Sequence, residues 1–131
     1  MKSRVVVSLI GAAVLIAAAV AVQPAVADTN PPGCTVTVQT PYVSSGVIHG
    51  SSSASCNTSA SRTLYAELWH DFGILPPAKV VQSGDHGTKT SYHPTYAVCD
   101  NGGTTTYATK GYFGGGYTGY IWSSEVTVSH C

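Results

Sequence analysis

One polar grouping in this chain is worth testing as a metal site: the adjacent His70 and Asp71, the adjacent Asp85 and His86, and His93. Imidazole and carboxylate together suit zinc or another transition metal, provided three or four of them converge at bonding distance. With His70 and Asp71 ending one strand and the other three in a later loop, the group could meet at one rim of a β-sandwich. The spacing matches no ligand pattern, however, and polar residues are ordinary in loops. The expectation is solvated loop residues and no metal site.

Other catalytic sets fare no better. Serine is abundant, but no Gly-x-Ser-x-Gly elbow presents one as a nucleophile. Glycoside hydrolysis needs two carboxylates flanking a cleft. Residues 28–131 offer Asp28, Glu67, Asp71, Asp85, Asp100 and Glu125, with no long loops to build a cleft around them. The cysteines, Cys34, Cys56, Cys99 and Cys131, lack the C-x-x-C spacing of a zinc or redox motif. The chain reads as a non-enzyme, with no catalytic residues and no cofactor.

The remaining signal is aromatic. Residues 110–122 read KGYFGGGYTGYIW, rings interleaved with glycine. If alternate residues of this last hairpin face outward, Tyr107, Phe113 and Tyr117 share one side, with Trp69 or Trp122 near it. Exposed rings on a flat sheet stack on sugars or anchor a protein partner, because they carry large area with few rotors. The same rings could instead fill the core, since aliphatic residues are thin here. The candidate binding surface is Trp69, Tyr107, Phe113, Tyr117 and Trp122. His49 and His130 read as strand residues facing solvent, and Asn57-Thr58-Ser59 as a turn after Cys56.

The elements that must position these rings begin after a leader. Residues 1–27 open with Lys2 and Arg4, continue through an apolar run, and end in Ala25-Val26-Ala27. That is the layout of a secretory signal peptide cut before Asp28, which would leave no membrane span. In residues 28–131 four basic residues (Arg62, Lys79, Lys89, Lys110) face six acidic ones, a formal net charge of −2. Nothing there attracts nucleic acid or an anionic membrane, whose recognition rests on clustered Lys and Arg. The expected organisation is an extended arm over residues 28–33 and one domain over residues 34–131. An even cysteine count in a short exported chain reads as two disulfides.

The domain reads as all-β. Cys34-Thr-Val-Thr-Val alternates strictly. Residues 46–56 place Ile48, Ser52, Ala54 and Cys56 on one side, and residues 62–70 turn Leu64, Ala66 and Leu68 inward with Tyr65, Glu67 and Trp69 outward. A short strand at residues 79–82 precedes the loop at residues 85–94. Strands at residues 96–99, 104–113 and 117–130 follow, the last bent near Ser123-Ser124. This predicts a small antiparallel β-sandwich, Ig-like or Greek-key, of about six to eight strands.

Register arithmetic favours one disulfide pairing. Setting Cys34 opposite Cys56 puts Val36 opposite Ala54 and centres the turn at Ser45. Setting Cys99 opposite Cys131 centres a second hairpin on Gly115, inside the triple glycine, where positive φ is wanted. The pairing expected is Cys34–Cys56 and Cys99–Cys131, each closing its own hairpin.

Cys34-Thr-Val-Thr-Val, the Gly46-Val-Ile-His-Gly-Ser-Ser-Ser-Ala-Ser-Cys56 segment, the strand from Leu64 through Leu68-Trp69, and the closing Ser-Glu-Val-Thr-Val-Ser-His-Cys131 together carry a resemblance. The chain resembles a loose group of small exported proteins of high-GC Gram-positive bacteria. That resemblance implies a disulfide-stapled β-sandwich and carries over no functional residues. A weaker likeness is to bacterial proteinaceous α-amylase inhibitors, whose Trp-Arg-Tyr contact triplet is missing here. The functional expectation is a secreted, extracellular binding module with a protein or polysaccharide partner. The alternatives are a hydrolase inhibitor presenting residues 69–77 or the glycine turn, and a component of a secreted toxin or spore surface.

Overall fold

A computed structural model describes residues 30–71, 76–100 and 102–131, with the Asp71 side chain excepted. The expected leader, residues 1–27, and the first two residues of the expected arm lie outside the described residues. Among the described residues the fold is all-β and antiparallel, with eight strands. They are β1 (Cys34–Val38), β2 (Tyr42–Ser44), β3 (Val47–Asp71), β4 (Ala78–Tyr92), β5 (Thr95–Val98), β6 (Thr104–Phe113), β7 (Ile121–Trp122) and β8 (Val126–Ser129).

The long β3 is flanked by neighbours along most of its length. Its first residues lie between β2 and β5, its middle between β1 and β4, and its last part between β4 and β6. β7 and β8 then pair with the far side of β6. Ile48 near the start of β3 joins one core cluster with Ala66 and Leu68 near its end, together with Tyr96 and Tyr107. The strand therefore bends, and a single hydrogen-bonded sheet supplies both layers around the core. A second cluster, Val36, Ala54, Cys56, Leu64, Tyr92 and Phe113, packs β1 against β3, β4 and β6. Gly111 marks how closely these layers approach: a Cβ there would lie 2.5 Å from Val38 Cγ1 and 2.9 Å from Ser52 Cβ.

The first hairpin has the expected register, with Cys34 opposite Cys56 and Val36 opposite Ala54. Its tip slips by one residue, so that Ser44 pairs with Val47 around Ser45 and Gly46. Both turn residues take positive φ, 53° and 77°, as a two-residue type I′ turn demands. Residues 31–34 form a turn instead of an extended arm. The Cys34 N–H donates to the Pro31 carbonyl at 3.1 Å, with Gly33 at φ 77°, and the Asn57 N–H donates to the Gly33 carbonyl at 2.9 Å.

Two further segments differ from the sequence expectation. Asn57-Thr58-Ser59 is not a turn: β3 runs through it, and the extra length is absorbed as a register shift against β4 between Ser55 and Ala60. The Tyr92 hydroxyl fills that irregularity, 2.9–3.0 Å from the carbonyl oxygens of Ala60, Gly87 and Lys89. The loop expected at residues 85–94 is mostly strand, because β4 extends to Tyr92. As an edge strand β4 carries polar side chains on both faces, and the apolar alternation by which buried strands are read is absent.

Both disulfides have the expected partners, Cys34–Cys56 and Cys99–Cys131. The second sits differently from the expected hairpin clasp. Lys110 pairs with Trp122 instead of Tyr120, and Thr104 with Ser129 instead of Val126. Cys99 follows β5, which is bonded to the start of β3, and the Cys131 N–H donates to the Gly46 carbonyl at 2.8 Å. The bridge thus ties the β2–β3–β5 layer to the β6–β8 ribbon. The glycines at 114–116 open a wider loop over residues 114–120, with Gly115 and Gly116 at positive φ.

Candidate functional site

Register decides which rings meet solvent. Residues directly opposite in a ladder share a face. On β3 and β6, Leu64 faces Phe113, Ala66 faces Gly111, Leu68 faces Thr109 and His70 faces Tyr107, all on the inner side. The alternate pairs Tyr65–Tyr112, Glu67–Lys110 and Trp69–Ala108 make the outer side, which Trp122 of β7 extends opposite Lys110.

The outer side is an organised surface. Trp69 and Trp122 meet edge to face at 5.8 Å, Tyr120 and Trp122 at 6.3 Å, and Tyr65 stacks on Tyr112 at 5.2 Å. Tyr120 and Trp122 are 50% and 43% exposed. Beneath the rings lies Glu67, buried although it points away from the main core. It accepts hydrogen bonds from Trp69 Nε1 (2.8 Å), the Tyr112 hydroxyl (2.5 Å) and Lys79 Nζ (3.4 Å). Charge-assisted bonds of this kind offset the cost of removing a carboxylate from water. They also fix the orientation of Trp69 and Tyr112. Burial, and then the Glu67 carboxylate, push the Tyr112 hydroxyl well above the usual phenol range.

Beside the two tryptophans a depression of about 270 Å³ opens between the end of β3 and the β7–β8 break. Its walls include Trp69, Trp122, Pro77, Thr106, Ser123 and Glu125. Flat rings, hydroxyls and one carboxylate lie together there. The volume lies just under the roughly 300 Å³ lower end for small-molecule sites, so it takes one ring-sized group and no more.

The inner side under this depression carries a polar network. His70 Nδ1 lies 2.6 Å from Asp100 Oδ2, the Tyr107 hydroxyl donates to the same oxygen at 2.7 Å, and His130 Nε2 lies 2.6 Å from the Tyr107 oxygen. His130 is buried, not solvent-facing as its sequence position implied. The described members of the candidate metal group are engaged in separate contacts. Asp85 accepts from Lys89 Nζ at 2.6 Å and from the His93 backbone N–H at 2.9 Å, while His86 Nδ1 pairs with the Thr63 hydroxyl and His70 with Asp100. Among the described residues no three His, Cys, Asp or Glu side chains gather in a way that could hold an ion.

Of the five rings expected on the surface, Trp69 and Trp122 are brought together there. Tyr107 and Phe113 are core residues, 1% and 0% exposed, because odd positions of β6 face inward. Tyr117 is exposed but stands apart, lining a different depression with Tyr65, Arg62 and His86. Tyr65, expected outward but left out of the candidate surface, belongs to the outer face with Tyr112 and Tyr120, which the sequence did not single out. The available signal was Lys110: a charge mid-strand belongs on the solvent side and carries Ala108 and Tyr112 with it. No family model, curated protein or solved structure matches this chain.

Proposed function

We propose that this is an exported, non-enzymatic module that binds a polysaccharide on its outer aromatic face. The observation that carries the reading is the meeting of Trp69 and Trp122 beside a depression lined with hydroxyls, with Trp122 and Tyr120 about half exposed. Tryptophan faces offer sugars large, rigid apolar area, and the neighbouring polar groups accept or donate to their hydroxyls. The buried hydrogen bonds to Glu67 hold Trp69 in place before any ligand arrives, which lowers the entropic cost of binding.

The carboxylates support a non-catalytic role. Those of Glu67, Asp85 and Asp100 are each engaged by two or more donors within the fold. Export is supported by the leader-like residues 1–27 and by two disulfides, which persist in oxidising compartments.

Affinity electrophoresis of residues 28–131 through gels containing soluble polysaccharides tests the reading. Wild type should be retarded by at least one polymer, and Trp122→Ala should migrate as in the empty gel. Equal retardation of Trp122→Ala, or none for wild type across neutral and acidic polymers, would exclude this face as a glycan site.

A further inference from the structure

We infer, building on the polysaccharide reading, that the ligand is acidic and that Lys110 holds its anionic group. Lys110 stands directly opposite Glu67 in the β3–β6 ladder, yet the two form no ion pair. Glu67 is already engaged by Lys79, Trp69 and Tyr112. The Lys110 ammonium lies instead among four rings: 4.6 Å from the centroid of Tyr120, 5.3 Å from Trp69, 5.5 Å from Tyr112 and 5.6 Å from Trp122.

A cage of electron-rich ring faces ordinarily selects a cationic ligand. Here the chain's own ammonium fills it, which leaves a fixed positive charge as what the cage presents. Ring faces attract that charge without using its N–H donors in ordinary hydrogen bonds. Among the described residues no carboxylate lies within ion-pair distance of it. The low-polarity rings also screen it less than water would, so an arriving anion gains more than at a bare surface lysine.

Glu125, in the break between β7 and β8, lines the depression, whereas Lys110 stands outside its lining. A ligand charge is therefore repelled in the depression and attracted at Lys110. The polymer that fits has a pyranose ring on Trp122 and a carboxylate or phosphodiester reaching Lys110.

The test compares polygalacturonate, phosphomannan (a mannose polymer carrying phosphodiesters) and neutral dextran by titration calorimetry against wild type, Lys110→Gln, Lys110→Arg and Trp122→Ala. One anionic polymer should bind wild type more tightly than dextran, identifying which anion is read. Lys110→Gln should cut that affinity about tenfold, the size of one charge-assisted contact, and Lys110→Arg should restore most of it. Polymers that bind through Trp122 with no preference for charge, or a Lys110→Gln variant that binds as wild type, would overturn the acidic-ligand inference and leave the polysaccharide reading standing. Failure of every polymer to bind would remove both.

Discussion

Tyr107 and His130 are joined inside the fold by a 2.6 Å hydrogen bond whose direction the neighbouring groups dictate. The phenol has one proton and gives it to Asp100, 2.7 Å away, so it must accept from His130 Nε2. The backbone N–H of Asp100 points at His130 Nδ1 at 3.4 Å, which requires an acceptor there. His130 is thus set as the neutral ring with its proton on Nε2. The loop of contacts joins residues next to Cys99 and Cys131, so it reinforces the same seam as the disulfide. Tyr107→Phe should leave the buried His130 Nε2–H without its acceptor and Asp100 with His70 alone, and destabilise the fold by about 1–3 kcal/mol in urea titrations. Nitrogen NMR of the wild type should show the Nε2–H tautomer. The opposite tautomer would contradict the network as drawn.

Stability should fall in alkali. Burial pushes the Tyr96 hydroxyl, which is bonded to Thr109 at 2.7 Å, up to about 12. Tyr107 and Tyr112 are raised too, by burial first and then by Asp100 and Glu67. In the unfolded chain tyrosine ionises near pH 10. A folded value above the unfolded one leaves stability intact below about pH 10, then drains it as pH rises through the folded value. For each such tyrosine the loss approaches about 1.4 kcal/mol per pH unit. Denaturant midpoints should be flat to about pH 9.5 and fall beyond it, with Tyr96→Phe falling less steeply. A flat profile up to about pH 11.5 would contradict protonated, buried phenols.

Glu67 organises the outer face, and its removal should be felt in the rings before it is felt in binding. Glu67→Ala leaves Trp69 Nε1 and the Tyr112 hydroxyl without their acceptor, at a cost of about 1–3 kcal/mol. Near-ultraviolet circular dichroism should lose intensity as the rings gain freedom. Glu67→Gln keeps the shape and an acceptor oxygen, so it should keep more of the signal. Equal spectra for wild type and Glu67→Ala would mean that the carboxylate positions nothing.

Gly111→Ala should destabilise through crowding against Val38 and Ser52, by about 1–3 kcal/mol. Val38→Ala should recover part of that loss when the two changes are combined, although it is destabilising alone. Chemical denaturation of the four proteins gives the coupling directly. Strict additivity would show that β1 does not lie against β6 as described.

The first hairpin was legible because its residues alternate and its cysteines fix the register: Cys34 and Cys56 sit opposite each other as the spacing implies. The same arithmetic named the right partners for Cys99 and Cys131 but the wrong seat, since nothing local records that Cys99 ends a strand bonded to β3. The surface followed the same pattern. Trp69 faced outward on the parity of its own strand, whereas Tyr107 and Phe113 were read outward against the parity that Lys110 marks and that pairing with β3 shows. Only the apolar start of β4, residues 79–82, was read as strand; its continuation to Tyr92 escaped notice because polar side chains there leave no apolar alternation. Glu67 looked like an ordinary solvated carboxylate, since its three donors come from three different strands.

The passage of β3 through both layers has a consequence for how the molecule opens. Five of the other strands are zipped to it, and the remaining two hang from β6. No layer can peel away while the other survives, because they share a backbone. Amide protons along β3 should therefore exchange only when the whole protein unfolds, with the slowest rates beneath Trp69 matching those beside Ile48. A molecule wired this way keeps Tyr65, Glu67 and Trp69 in line with Tyr112, Lys110 and Ala108 for as long as it stays folded.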